Sequence, residues 1–248
     1  MTWNILAQQW YEDGHFTYSK VIPWLTRLKT IVHKIKGLNC DIVCLQEVDL
    51  STGKTDFADL MTDYDFVIHE INKKRNSPIG NMILWRRSEF DLLGSDLRSY
   101  AIHVILQHTK TNTEMWFSNV HLKAGLTSGE TQRLSQFESC LSAWKKTLFR
   151  ACICGDFNDD LKNDSLLVKA VKNLNSELQK DGLPEKTFSC NVGPPSCKAG
   201  PTLFPFDHAI TSDFLMEYQF NKERDGSIEI PSKGMPSDHH PVRFTLKL

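Results

Sequence analysis

The sequence predicts an α/β fold in one domain, with helices laid against the outer faces of sheet layers. Three observations carry that prediction. Some segments place apolar residues at three- and four-residue spacing; a long central stretch breaks into short strand-like segments; and no repeat, low-complexity tract or linker divides the chain.

Between residues 20 and 36, Trp24, Leu25, Leu28, Ile31, Val32 and Ile35 form one apolar stripe, with Pro23 near its start and Gly37 past its end, which predicts a helix. The helix leads into DIVCLQE, a short apolar run read as a buried strand ending at Gln46 and Glu47. Over residues 82–122 the segments MILWRR, FDLLGSDLR, AIHVILQHT and MWFSNVHL read as an antiparallel meander, with TKTNTE as the turn between the last two. Leu134, Phe137, Leu141, Trp144 and Leu148 mark a second helix within residues 129–148, followed at once by the strand ACICGDFN. A third helix is predicted over residues 165–178 from Leu166, Leu167, Val171, Leu174 and Leu178. Residues 181–205, rich in Gly, Pro and Ser, read as a long loop. Strands resume with FDHAITS, EYQF and PVRFTLKL, the last turning Val242, Phe244 and Leu246 inward.

With 248 residues, 40% hydrophobic and 24% charged, the chain has material for a sizeable core, which excludes bulk disorder. Its 29 basic and 30 acidic residues leave a net charge of −1, so any polyanion must be met by local charge. No apolar run approaches ~18 residues, and MTWNILAQQWYEDG lacks a basic segment followed by an apolar one, so neither a membrane span nor a secretory signal is expected. Seven scattered cysteines without a C-x-x-C pair point to a reduced, intracellular and cytoplasmic setting. Cys152 and Cys154, two apart in a strand, should share a buried face; Cys190 and Cys197 flank NVGPPS and could meet.

Five short polar signatures lie at strand ends or in adjoining loops: WNIL at Asn4, LQE at Glu47, NVHL at His121, GDFN at Asp156 and Asn158, and SDHHP at Asp238 and His239. Each alone has a plain structural explanation. Glu47 could be a solvated strand end, Asp156 and Asn158 a turn, His121 an ordinary histidine, and Asp238 a turn former between prolines. Together they supply carboxylates without cysteine ligands, a set suited to a hard cation such as Mg²⁺ or Mn²⁺, with Glu47 as its leading ligand. Asn4 or Asn158 can donate to a phosphate oxygen. An imidazole beside Asp207 or Asp238 is biased toward its charged form and can stabilise negative charge as phosphorus becomes five-coordinate. The chemistry implied is metal-assisted hydrolysis of a phosphate ester.

In this order and across nearly the whole chain, these motifs resemble the endonuclease/exonuclease/phosphatase superfamily. TWNILAQ, CLQEVD, HLKAG followed by Arg133 and Gln136, and GDFN look most like its nocturnin/deadenylase-like branch. The resemblance implies a four-layered α/β sandwich, two mainly antiparallel sheets between helices, with residues 1–248 forming a single catalytic domain. It implies Glu47 as principal metal ligand, Asn4 as partner of the metal or its waters, and Asp238 as a second metal-side carboxylate. It places His121 at the scissile phosphate, has Asp156 and Asn158 orient the attacking water and phosphate, and pairs Asp207 with the motif histidine. That histidine is His239, because the pattern S-D-H-x-P leaves His240 at the variable place; His208 is read as structural. Asn81, Lys123 and Arg133 are expected at the substrate phosphate. Leu6 departs from the Asp of the AP-endonuclease branch, and LTSGETQR is short and poor in aromatics, which leaves base specificity open.

The activity implied is a Mg²⁺-dependent 3′–5′ exoribonuclease on single-stranded RNA, with Phe204 and Phe206, or Trp85, as stacking platforms. Lys73, Lys74, Arg75, Arg86 and Arg87 would supply local positive surface. The alternatives are a phosphatase or phosphodiesterase on a small nucleotide (a 2′-phosphorylated dinucleotide or 2′–5′ oligonucleotide), which the near-zero charge favours, and a DNA-repair phosphodiesterase, which Leu6 weakens. A catalytically dead binding module is opposed by the intact polar set. A monomer with no obligate protein partner is expected.

Overall fold

Central strands that carry apolar residues on both faces stay out of water only if each sheet is covered twice. The computed structural model describes residues 1–12, 21–70, 77–125, 127–199, 202–219, 231–232 and 234–247, and it meets that demand with four layers. In chain order the elements are β1 (Thr2–Asn4), α1 (Gln8–Glu12), α2 (Trp24–Leu38), β2 (Ile42–Asp49), α3 (Gly53–Asp56), β3 (Tyr64–Ile68), β4 (Ile79–Arg86), β5 (Phe90–Leu97), β6 (Ala101–His108) and β7 (Thr113–His121). They continue with α4 (Glu130–Trp144), β8 (Arg150–Asp156), α5 (Leu166–Lys180), β9 (Phe188–Asn191), β10 (Cys197–Ala199), β11 (Thr202–Phe204), β12 (Asp207–Ser212), β13 (Leu215–Gln219) and β14 (Arg243–Lys247).

One sheet has the order β1-β2-β4-β3 and the other β5-β6-β7-β8-β12-β9. Within them only β1-β2 and β7-β8 run parallel. Reciprocal hydrogen bonds between Thr2 and Val242 tie the β13-β14 ribbon to the edge of the first sheet. Alternation along each strand then assigns side chains to layers. Val43 and Leu45 point outward to Ile31, Val32 and Ile35 of α2, whereas Cys44 points inward. Ala151 and Ile153 meet α4 and α5 through Phe137, Trp144 and Val171. Between the sheets lie Ile83, Trp85, Ile102, Phe117, Cys152 and Cys154, so the two cysteines share a buried face as their spacing predicts. Burial of such side chains stabilises by about 1.5–3 kcal/mol each, against ~0–1 kcal/mol for an exposed ion pair, so these three apolar layers hold the fold.

Several local expectations need correction. MILWRR, read as the first strand of the meander, is β4 of the other sheet, paired with β2 and β3, so the meander is β5-β6-β7 alone. Helix α2 runs through Gly37 and is ended by Asn39, which adopts a left-handed φ of 49° and donates its N–H to the Ile35 carbonyl. The segment 181–205 is not a plain loop: it contributes β9 to the edge of the second sheet and the small β10-β11 ribbon. These strands of three or four residues are too short to show a period. All seven cysteines are free thiols, so Cys190 and Cys197 form no pair. No helix among the described residues is long and apolar enough to cross a membrane.

Candidate active site

The two parallel pairings align strand ends, and that alignment builds the site. In β7-β8 the register places His121 opposite Asp156; in β1-β2 it places Asn4 opposite Gln46, beside Glu47. Asp207, the first residue of β12, pairs across from Asp156. The SDHHP segment arrives from the far end of the chain. Ser237 Oγ donates to the Asn4 carbonyl, and the Trp3 indole N–H donates to the His239 carbonyl at 2.8 Å.

The backbone is bent where these residues meet. A bulge interrupts β2 between Leu45 and Val48 and leaves Glu47 at φ 61°, while Leu6 and Asn158 on the same rim have φ 56° and 50°. Left-handed non-glycine residues carry about 1–3 kcal/mol of strain each and gather at functional sites, where they aim a side chain that regular strand geometry would misdirect. Gly155 has φ 150°, and a Cβ there would stand 1.9 Å from the Val120 carbonyl oxygen, so only glycine brings β8 this close to β7 ahead of Asp156.

Asn4 is the hub of the polar set. Its Nδ2 donates to Glu47 Oε1 at 2.9 Å and to Asp156 Oδ2 at 3.0 Å, while its Oδ1 accepts from the Leu6 N–H. The Ala7 N–H donates to Glu47 Oε2. His121 Nε2 lies 3.9 Å from Glu47 and 3.7 Å from Asp156. Asp156 also accepts the Asn158 N–H, and Asn158 Nδ2 donates to the Leu122 carbonyl. His239 Nδ1 and Asp207 Oδ2 are 2.7 Å apart, and His239 Nε2 faces Asp156 Oδ2 at 3.7 Å. Burial raises the Asp156 carboxyl above the usual carboxylate range, although His239 and His121 pull it back in part. Burial alone would lower His239, but Cys197, Asp207 and Asp156 outweigh it and hold the imidazole well above its ordinary value. An imidazolium held by Asp207 and aimed into a cleft stabilises charge developing on a phosphate oxygen.

Asn4, Glu47, His121, Asp156, Asn158 and His239 line one cleft of about 770 Å³, together with Leu6, Trp10, Tyr100, Lys123, Cys197, Phe204, Phe206 and Asp238. The sequence matches the endonuclease/exonuclease/phosphatase family over residues 1–239. The chain belongs to that family. Its members hydrolyse phosphate esters with a divalent metal, and the chain is therefore a metal-dependent hydrolase of this class. It is 27% identical to nocturnin of Xenopus laevis over 96% of its own length and 69% of that protein. It is also 32% identical to the CCR4-Not complex 3′-5′-exoribonuclease subunit Ccr4 of Phaeosphaeria nodorum, over 41% of this chain and 19% of that one. Among solved structures, the human nocturnin catalytic domain with bound sulfate superposes with a TM-score of 0.71 at 20% identity, covering 99% of this chain and 92% of that one. ANGEL2, described as a 2′,3′-cyclic phosphatase, gives 0.72 at 16% identity over 98% and 92%. Both share the four-layered endonuclease/exonuclease/phosphatase fold.

The donor chemistry fits the family's divalent metal. Glu47 and Asp156 converge on one amide, and each lies under 4 Å from His121, while no lysine or arginine among the described residues pairs with either carboxylate. Carboxylate oxygens at the floor of a cleft suit a hard cation. When bound, such a cation would polarise the phosphate and activate water, with Glu47 as its foremost ligand. Asn4 turns its nitrogen, not its oxygen, to the carboxylates, so it orients Glu47 and Asp156 rather than ligating. Asp238 groups with His239 and Cys197 in the same cleft.

Three expected substrate contacts divide. Lys123 is exposed at the cleft rim. Asn81 is 1% exposed, and its amide donates to the Asn119 carbonyl at 3.0 Å, which makes it a tie between sheets instead of a phosphate contact. Arg133 is 2% exposed, and its guanidinium donates to the carbonyls of Lys123 and Gly125. It fixes the loop that presents Lys123 and does not clamp substrate. Arg86, the last residue of β4, and Arg87 just after it lie at the end of the strand opposite the cleft-lining Ile79 and Gly80, and bond Asn39, Tyr64 and Asp65. Lys73, Lys74 and Arg75 lie outside the described residues. Trp85 packs between the sheets, whereas Phe204 and Phe206 stack at 5.2 Å and line the cleft. His208 is structural as expected, since it is buried and bonds Asp159 and Gly193.

One positioning residue has no counterpart among the motifs. Arg27, buried on α2, donates to the carbonyls of Ile5, Leu6 and Pro236, and so binds the first motif to the last. The signal was present: position 27 falls on the buried stripe of α2, three residues after Trp24, where an arginine needs partners.

Proposed function

We propose that the chain is a Mg²⁺- or Mn²⁺-dependent 3′–5′ exoribonuclease of the deadenylase type, acting on single-stranded RNA as a monomer. The observation that carries this reading is the stacked Phe204–Phe206 pair lining the same cleft as Glu47, His121, Asp156 and His239. An aromatic wall next to phosphate chemistry can hold the terminal base while the adjoining linkage is cut. The exoribonuclease name of the Ccr4 relative supports it. Asp156 and Asn158 orient water and phosphate, His121 and His239 stabilise the developing negative charge, and Lys123 meets the next phosphate at the rim.

A second reading, hydrolysis of a small nucleotide, is favoured by a specific observation: Arg86 and Arg87 lie at the far end of β4, so they extend no basic track from the cleft. The phosphatase description of ANGEL2 accords with it. The test is a substrate panel in Mg²⁺ and in Mn²⁺: 3′-tailed RNA, single-stranded DNA, abasic DNA and a 2′-phosphorylated dinucleotide, with products resolved by mass. Stepwise 3′ shortening of RNA to mononucleotides is expected. Phosphate release from the dinucleotide with intact RNA would select the second reading, and cleavage at the abasic site alone would overturn both.

A further inference from the structure

Cys197 faces the catalytic cleft, yet the phosphate chemistry above makes no use of it. It opens β10, is 7% exposed, and pairs through an isolated antiparallel bridge with His239. The His240 N–H donates to the Ser196 carbonyl at 2.7 Å, which fixes the two backbones side by side. As a result Cys197 Sγ, a carboxylate oxygen of Asp238 and a ring nitrogen of His239 all lie within 4.8 Å of one another, and all three residues are buried.

Two further features favour a metal at this cluster. Asp207 occupies His239 Nδ1 at 2.7 Å and leaves Nε2 as the coordinating atom, the carboxylate–histidine–metal arrangement that fixes tautomer and ring orientation in zinc sites. One thiolate and one carboxylate also balance the charge of a divalent cation, and a thiolate selects against Mg²⁺ in favour of softer ions. A histidine, a cysteine and a carboxylate leave a fourth tetrahedral position open toward the cleft.

We infer that Cys197, Asp238 and His239 form a binding site for a softer divalent cation of the zinc class, apart from the hard-metal position at Glu47, and that filling it inhibits hydrolysis. Binding displaces two protons to solvent, one from the Cys197 thiol and one from Nε2 of the His239 imidazolium, so the neutral, metal-bound ring can no longer serve the phosphate. The inhibitory role rests on the function proposed above, whereas the binding itself does not.

The test uses the metal-free full chain with Co²⁺ as a spectroscopic probe. A thiolate-to-cobalt charge-transfer band in the near ultraviolet should appear and saturate at equimolar metal, and Cys197→Ser should lose it. In an assay with excess Mg²⁺, Zn²⁺ should inhibit the parent protein, and Cys197→Ser should need at least ~10-fold more Zn²⁺ for the same inhibition, the scale of losing a supporting group at a metal. Inhibition is read for each protein against its own turnover in Mg²⁺ alone. Cys197→Ala, with its unfolding curve matched to the parent, covers the case in which a buried serine hydroxyl disturbs the fold. No band in the parent, or a band that persists in both variants, overturns the site. A band that depends on Cys197 without any Zn²⁺ inhibition overturns the inhibitory role alone, and absence of hydrolysis in Mg²⁺ overturns the proposed function and not the site.

Discussion

His103 and His239 are buried to nearly the same degree, 2% and 5% exposed, and their surroundings drive them in opposite directions. His103 lies on β6, bonded to the Ser118 hydroxyl at 2.8 Å and stacked on Trp116. Burial pushes its pKa down to about 4, because neither contact offers a charge to offset desolvation. His239 lies between Asp207 and Asp156 and is held well above its ordinary value despite burial. Burial alone therefore says nothing about role; the charge of the nearest partner decides whether a buried histidine is a packing element or a source of positive charge. The same contrast separates the cleft from the seam beneath it. In the seam, Asn119 donates to the Leu45 and Met82 carbonyls and accepts from Gln46, joining both sheets with neutral groups.

The sharpest way to break this comparison is to remove the charged member. His239→Gln should lower kcat by at least ~100-fold, the usual scale for losing a charge-stabilising group, while thermal unfolding changes little. Single-turnover assays beside a melting curve check both halves. Equal losses of activity and stability would mean that His239 is a packing residue like His103. The seam should respond the other way. Asn119→Ala removes three hydrogen bonds and strands buried partners, which should cost about 2–3 kcal/mol and lower Tm by roughly 5–10 °C.

A third effect follows from His103 itself. Its folded pKa of about 4 lies below the unfolded value near 6.5, so the unfolded chain takes up the proton first. The stability it preserves is complete above about pH 6.5 and is lost as pH falls toward 4, with a slope of up to about 1.4 kcal/mol per pH unit. Urea unfolding near neutral pH and again near pH ~5 should show a shallower fall in His103→Asn than in the parent. A parallel fall in both proteins would remove His103 from the comparison. The smallest effect concerns the cleft wall. Phe204→Ala should raise KM for RNA about 10-fold with kcat nearly intact, as expected for one lost stacking contact. An unchanged KM would favour the small-nucleotide reading.

Much of this was legible in the chain. The apolar periods located α2, α4, α5 and the β5-β6-β7 part of the meander, whereas the strand read as its first, β4, belongs to the other sheet; the spacing of Cys152 and Cys154 assigned them to one face. The five motifs named Asn4, Glu47, His121, Asp156, Asn158, Asp238 and His239, all of which the fold brings to one cleft; Asp207, read from FDHAITS, is buried behind His239. What the motifs could not tell is direction. Asn81 and Arg133 sit beside the site in sequence, yet their side chains turn into the interior to bond carbonyls. Arg27 lies in no motif, yet it holds two of them together.

Local sequence thus determined which chemistry is possible: residue types and short-range periods fix strands, helices and the supply of carboxylate, amide and imidazole groups. Tertiary structure alone decided which of these groups share a cleft. Parallel pairing in β1-β2 and β7-β8 aligns strand ends distant in the chain, and a β-bridge sets Cys197 beside His239 across 42 residues of sequence. Such registers depend on long-range backbone hydrogen bonds and on packing of whole sheets, neither of which leaves a signature in any short window of sequence.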